Sequence, residues 1–364
     1  MSYKLSFCTV SMNRLHHLKE TFIRNIEDNV DYDNIEHILL DYNSSDGMEK
    51  WVRDHCSDYI EDKKVVYYRT IAPQSFHRSH SKNMLLKLAE GDIICFIDAD
   101  NFTGKGYAKH INTILKNNQD AFVSTIGKRI TNNPTDVLGR VCCDRSALLK
   151  IEGYDEYMAD YGMEDVDLAN RLEFLGKKRI LLKRPEYLKA ISHFNDERTV
   201  NQKTNLQFRL YVHYISPSES ELLYIFDNNT FSIGKVTDNA TLHSSKKLNM
   251  LKNLSCELMD RNWVNGNWYL SGNTIYFTDE VSGKSTGNLT YQSSVLKAIN
   301  VNDKYFYLVT NPRIVSSVQH SFSILRNRYK ARQNKLQKII AANDGNFGKG
   351  EVFRNFAYTH PTIL

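Results

Sequence analysis

No apolar run in the 364-residue chain approaches the ~20 residues that a membrane-spanning helix needs; even Ile93–Ile97 is far shorter. The opening residues Met1-Ser2-Tyr3-Lys4-Leu5 enter a strand-like pattern, with no apolar signal core and no small-residue cleavage site behind it. Cysteine is scarce. The six cysteines stand at 8, 56, 95, 142, 143 and 256, and none forms a CxxC pair. That argues against a zinc site or a disulfide framework and for buried thiols in a reducing compartment. There is no internal repeat and no low-complexity tract. There is no G-x-G-x-x-G after the first strand, no G-x-S-x-G elbow and no H-E-x-x-H. Gly283-Lys284-Ser285 fails as a P-loop because Thr278 stands where the upstream glycine belongs. Excess charge of one sign is also lacking: 47 basic against 42 acidic residues leave +5, which permits an anionic partner without requiring one. These absences lead us to expect a cytoplasmic protein with no nucleic-acid partner.

What is present is globular. Apolar residues make up 41% and charged residues 24%, which excludes a disordered chain. The length suits one large or two modest domains. The first ~210 residues alternate short apolar runs with amphipathic stretches. Leu5–Val10, Ile38–Leu40, Val65–Tyr68 and Ile93–Ile97 read as strands, with further strands at Ala121–Ile126, Gly139–Cys143 and Ile180–Leu182. Helices are expected over Arg14–Ile26, Met48–Tyr59, Ser79–Ala89, Tyr107–Lys116 and Asp165–Leu175. This alternation predicts an α/β domain with a mixed, mainly parallel sheet over residues 1–212. From Leu222 to Val309 the runs become short and β-like, separated by Asn, Ser, Gly and Asp. Residues 213–364 are therefore expected to form a C-terminal β-rich module closed by a long helix over Ser317–Ala342.

In open α/β sheets ligands bind beyond the carboxyl ends of the strands. Four polar groups fall there: Thr9 to Arg14, Asp41 to Asp46, Asp98-Ala99-Asp100, and the region of Glu164 and Asp165. Asp98 and Asp100 follow a buried strand, and carboxylates at i and i+2 can share a side of extended chain to hold a hard divalent cation. A solvated strand-end turn explains the same triplet. Tyr161-Gly162-Met163-Glu164-Asp165-Val166-Asp167 sits at a helix start. Its acids either complement the helix dipole or include a general base, and Tyr161 offers a face for a sugar ring. His193 is either structural or completes a carboxylate metal site.

In this order the groups resemble a family 2-type glycosyltransferase with the GT-A fold, the fold of nucleotide-diphospho-sugar transferases. Ser6–Arg14 resembles the first strand and nucleotide-binding turn. Leu40 through Gly47 resembles the V-D-D-G-S-T-D-G segment, with Tyr42 and Asn43 in place of its second Asp and its Gly. Arg78 through Asn83 resembles the A-R-N helix start, and Gly91 through Asp100 resembles the strand with its D-x-D metal motif. Gly153-Tyr154-Asp155-Glu156 through Leu168 is similar to the G-G-F-D-E…G-W-G-x-E-D-x-D segment of galactosyltransferase-like and chondroitin-polymerase-like enzymes; Met163 stands where a small residue is usual.

The resemblance implies an inverting transferase that uses Mn2+ or Mg2+. Asp165 is then the base on the acceptor hydroxyl. Thr9, Val10, Asn13, Arg14, Asp41, Arg78, Lys82, Asp98 and Glu164 contact the donor. Tyr161 and Asp167 contact the acceptor, and Asp100, Asp98 and His193 hold the metal. The implied partners are a UDP-sugar and a glycan or lipid-linked acceptor. The resemblance covers about residues 3–205.

Two other readings stay open at this point. One is a nucleotidyltransferase, which also pairs carboxylates with a metal. The other is a non-catalytic carbohydrate-binding or assembly subunit, with Trp263, Trp268 and Tyr269 as a sugar platform. Six cations, Arg326, Arg328, Lys330, Arg332, Lys335 and Lys338, lie on the long helix. They suit a solvated or dimerising face, or peripheral contact with an anionic membrane. Residues 1–212 carry 30 basic and 31 acidic side chains, so the presumed catalytic part is expected to need a metal ion to meet a diphosphate.

Overall fold

The computed structural model describes residues 2–126, 137–158, 161–192, 201, 208–216, 219–237, 264–280, 282–292, 295–299 and 303–364. The chain divides into two compact units. Unit 1 is Met1–Lys203 with Arg326–Leu364, and unit 2 is Thr204–Leu325.

Unit 1 is α/β. Its strands and helices run β1 (Leu5–Ser11), α1 (Leu15–Glu27), β2 (Ile35–Tyr42), α2 (Met48–Glu61), β3 (Val65–Thr70), α3 (Arg78–Leu88), β4 (Ile93–Phe96), β5 (Asn101–Phe102) and α4 (Tyr107–Asn117). Then come β6 (Ala121–Ser124), β7 (Val141–Asp144), α5 (Arg145–Lys150), α6 (Glu164–Phe174), β8 (Lys178–Leu181) and β9 (Lys189–Ala190). The chain returns at its end with β18 (Glu351–Arg354) and β19 (Thr362–Ile363). The described sheet has the order β19-β18-β3-β2-β1-β4-β7-β6-β8. β3, β2, β1 and β4 are mutually parallel, whereas β7 and β18 are antiparallel to their neighbours. The sheet is therefore mixed and mainly parallel, as the alternation predicts.

Its core forms because successive strand residues point to opposite faces. On β1, Leu5 and Phe7 join Ile93, Cys95 and Tyr107 on one face, while Cys8 and Val10 join Leu40, Phe96 and Tyr154 on the other. Every residue of β4 is buried, which is the reason its sequence is an unbroken apolar run. The thiols of Cys8, Cys56, Cys95, Cys142 and Cys143 are all free and buried.

Unit 2 is an antiparallel barrel of eight described strands: β10 (Phe208–Ser216), β11 (Glu219–Phe226), β12 (Thr230–Thr237), β13 (Val264–Ser271), β14 (Thr274–Asp279), β15 (Ser285–Gln292), β16 (Val295–Ala298) and β17 (Tyr305–Leu308). β10 pairs with β17 and closes it. Leu223, Ile225, Phe231, Ile275, Phe277, Leu289, Leu296 and Phe306 fill the interior. Of the expected sugar platform, Trp263 lies outside the described residues. Trp268 packs on the barrel core and donates its indole N–H to the Phe226 carbonyl (2.9 Å). Tyr269 is exposed and stacks on Tyr276 with ring centroids 5.0 Å apart.

The boundary differs from the expected one at 212/213, which falls inside β10. Long-range pairing is the reason. β18 adds to the edge of β3 (Phe353 opposite Arg69), so the last ~40 residues complete unit 1. The long helix α7 spans Pro312–Leu336, earlier in the chain than the expected Ser317–Ala342. The charge reading changes with the boundary. Unit 1 contains 37 basic and 33 acidic residues, net +4, because all six cations from Arg326 to Lys338 belong to it.

Phe96 is buried at the middle of the sheet and meets Tyr154 edge-on, with ring centroids 5.2 Å apart. Phe96→Ala is expected to lower the unfolding free energy of unit 1 by about 3–5 kcal/mol. A shift of the urea midpoint in far-UV dichroism measures it.

Candidate active site

The carboxyl ends of β1, β2 and β4 open on one edge of the sheet, and three turns leave from it. The turn after β1 is built on Asn13, whose φ of 55° is left-handed, a conformation asparagine tolerates better than most residues. Its backbone N–H donates to Ser44 Oγ (3.0 Å), and its Oδ1 accepts from the Ser45 N–H (2.7 Å). Asp46 Oδ2 accepts the Leu15 N–H (2.8 Å) at the start of α1. The β1 and β2 turns therefore hold each other. Asn201 adds to this: its amide donates to the Met12 carbonyl (2.9 Å), and its Oδ1 accepts from Asn13 Nδ2 (3.2 Å).

Asp41 is fully buried. Its Oδ1 accepts from the Ser44 N–H (2.7 Å) and its Oδ2 from the Tyr67 hydroxyl (2.8 Å), with Arg69 Nε at 3.6 Å. Burial pushes its carboxyl above the usual range, and these bonds pull against that. Asp41 therefore shapes the turn from inside. Thr9 and Val10 are buried in the strand, and Val10 belongs to the core. Arg14 precedes α1 at its N-cap position.

The centre of the site is Lys82. Arg78 and Lys82 are four residues apart on α3, hence on one face. Lys82 is 5% exposed. Its Nζ lies 3.4 Å from Asp98 Oδ1, 3.2 Å from Asp165 Oδ1 and 5.0 Å from the Tyr154 ring centroid. Burial alone would discharge the amine. Asp165 and Asp98 more than offset that and hold the ammonium well above its ordinary value. Gly139 flanks this pair. A Cβ there would stand 2.3 Å from Asp98 Oδ2 and 3.2 Å from Lys82 Nζ, so a side chain at 139 would displace the carboxylate.

Glu164 and Asp165 are the first residues of α6, preceded by Gly162 (φ 94°) and Met163 (φ 73°) in left-handed conformation. Glu164 is 4% exposed, and its Oε2 has no hydrogen-bond partner among the described residues. Burial, with the Asp165 charge beside it, pushes its carboxyl up to about 7, and the Arg78 charge opposes this. Burial also raises Asp165, against the pull of Lys82. The Arg78 guanidinium lies 4.6 Å from the Tyr161 ring centroid. The structure thus brings together Arg78, Lys82, Asp98, Tyr161, Glu164 and Asp165.

It places Asp167 elsewhere. That carboxylate is buried between Arg171 Nε (2.7 Å) and Asn334 Nδ2 (3.0 Å), so it holds α6 in place and has no face toward an acceptor. Asp100 Oδ1 accepts from Asn101 Nδ2 (2.6 Å). His193 lies outside the described residues. Among the described residues no group of three or more His, Cys, Asp or Glu is placed to hold a metal. Asp98 and Asp100 supply hard oxygen donors that fit a divalent cation which also takes phosphate oxygens and water. Sequence reasoning missed Gly139, Tyr154 and Asn201. Asn201 sits in no local pattern, whereas Gly139 began an expected strand and Tyr154 stood inside a noted segment, neither with an assigned role.

Residues 6–161 match the model of glycosyl transferase family 2, a segment that ends just before Glu164 and Asp165. The match supports a glycosyltransferase for unit 1. No curated protein matches the chain significantly. Among solved structures, the chain is similar to the mannosyltransferase PcManGT from Pyrobaculum calidifontis in complex with GDP-Man and Mn2+ (19% identity, TM-score 0.43, covering 53% of this chain and 58% of that one). It is also similar to S. aureus TarS 1–349 in complex with UDP (14%, TM-score 0.43, 53% and 62%). A third is GalNAc-T7 with UDP, GalNAc and Mn2+ (12%, TM-score 0.41, 50% and 42%). The chain thus spans less than two thirds of each of them. No described helix is long and apolar enough to cross a membrane.

Glu164 gives a pH signature. An unfolded glutamate titrates near 4.5 and the folded one near 7, so between these values the folded state holds the extra proton. Stability is therefore expected to fall as pH rises through that window and to level off above it. Chemical denaturation from pH 4 to 8 tests this, with Glu164→Gln expected to flatten the decline.

Proposed function

We propose that unit 1 is an inverting glycosyltransferase. In this reading it moves a hexose or N-acetylhexosamine from a UDP-sugar to a hydroxyl of a glycan or lipid-linked acceptor in bacterial surface polysaccharide synthesis. The observation that carries the reading is the convergence of Asp98 and Asp165 on Lys82; Lys82 and Asp98 lie inside the segment that matches the family, and Asp165 follows it.

Asp165 is the base that takes the proton of the attacking hydroxyl. Lys82 keeps it charged in a buried setting and holds it by one oxygen. Attack on one face of the sugar while the diphosphate leaves from the other needs no covalent nucleophile and inverts the anomeric carbon. Glu164, protonated at neutral pH to a substantial extent, donates a hydrogen bond to a hydroxyl of the donor sugar. Arg78 offers charge to the diphosphate, and Tyr161 offers its ring to the acceptor. The turn of Asn13 and Arg14, shaped from beneath by Asp41, receives the nucleoside. Asp98 and Asp100, with His193, would hold Mn2+ or Mg2+, which supplies positive charge to the leaving diphosphate when bound. The cations of α7 would serve the peripheral contact with the inner face of the membrane, on the cytoplasmic side, that a lipid-linked acceptor calls for.

With Mn2+ and a panel of UDP-sugars, the purified protein is expected to release UDP from one or a few. Asp165→Asn is expected to cut that rate by about 10²–10⁴-fold while donor binding by calorimetry stays within about threefold. Full turnover in this variant would remove Asp165 from the base role.

A further inference from the structure

We propose that Asn327 and Asn334 of α7 are positioning residues for the acidic loop that carries Glu164 and Asp165. The proposal rests on the transfer reading for its catalytic consequence.

The two asparagines are seven residues apart on a continuous helix. Two turns separate them, so they share a face and stand about 10 Å apart along the axis. Both are buried. The Asn327 amide donates to the Gly162 carbonyl (2.8 Å). The Asn334 amide donates to Asp155 Oδ2 (2.7 Å) and to Asp167 Oδ1 (3.0 Å). One helix face therefore ties this segment at three points: at Asp155, at Gly162 just before α6, and at Asp167 in the first turn of α6. Ala331, buried between the two asparagines, lets the helix come close.

The loop needs such a hold. Gly162 and Met163 are both left-handed, and a non-glycine residue stays there only where its surroundings fix it. Asp155 and Asp167 are both almost fully buried. Two such carboxylates joined by one side chain require a donor to each, and a primary amide supplies two N–H groups without a charge. A lysine or arginine at 334 would add a third cation beside Arg171 and Lys330, which already face Asp167 and Asp155. An aspartate there would add a carboxylate with nothing to donate. A second clamp lies further along: Asn343 donates to the Glu152 and Tyr154 carbonyls (2.7 and 2.8 Å) and accepts from the Glu156 N–H (2.9 Å). Asp165 stands three residues past the carbonyl that Asn327 holds. A displacement at Gly162 therefore moves the base relative to Lys82, and small displacements of a reacting group cost rate steeply.

The test uses the full chain with Asn327→Ala, Asn334→Asp and the conservative Asn327→Gln. Amide hydrogen exchange is expected to speed up in peptides covering residues 153–168 in the first two variants and to stay unchanged in β1 to β4. The kcat for UDP release is expected to fall roughly 10- to 100-fold, with UDP affinity within about twofold and partial recovery in Asn327→Gln. Unchanged exchange and kcat in Asn327→Ala overturn the proposal. So does exchange that rises equally throughout unit 1, since that marks general destabilisation. If the unaltered protein releases no nucleotide from any donor, the transfer reading falls, while exchange in residues 153–168 still decides whether the asparagines hold the loop.

Discussion

A buried ammonium is costly unless its partners are in place, and unit 1 is organised around one. Lys82 is enclosed by groups from two other elements, Asp98 past the end of β4 and Asp165 on α6. Removing either carboxylate leaves the buried ammonium with one partner in place of two. Three pieces of chain must therefore arrive together. A side chain at position 139 would push the Asp98 carboxylate from its present place. Asn83, beside Lys82 in sequence, accepts from the Tyr154 N–H (2.7 Å) and donates to Glu156 (2.8 Å), which sets the start of the acidic loop against the same helix. The net +4 of unit 1 is consistent with a site whose acids are matched by its own cations rather than left as a bare acidic cluster.

Much of this was legible in the sequence, for identifiable reasons. β4 announced itself because a strand covered on both faces has no polar position to interrupt it. Glu164 and Asp165 stood out because acids gather at a helix start, where the dipole favours them. Turn chemistry after Asp41 located the second loop. What stayed hidden was long-range. Lys82 was expected only as a donor contact; its pairing with Asp98 and Asp165 was not visible, since those partners lie 16 and 83 positions away. Asp167 read like its neighbour Asp165, because nothing local shows that Arg171 and Asn334 enclose it. The boundary misled for the same reason. A composition shift marks where the barrel begins, and no composition shift marks the return of the chain to the β3 edge.

Unit 2 solves a different problem. Closing β10 on β17 leaves its strands without a free edge. Its aromatics divide accordingly, with Trp268 turned to the core and Tyr269 outward on Tyr276. Among the described residues, the exposed Tyr269–Tyr276 stack is ordinary cross-strand support.

The split of unit 1 across the sequence has a consequence for synthesis. Domains usually fold in the order in which they leave the ribosome. Here the half made first is finished last, because β18, Asn327, Asn334 and Asn343 emerge only after the whole barrel. Until then β3 is an open edge, a ready template for wrong pairing, and the acidic loop has no clamp. A ribosome that stalled just past the barrel would release a protein with its carboxylates present and their scaffold missing. The residues that follow the barrel thus complete a unit begun before it.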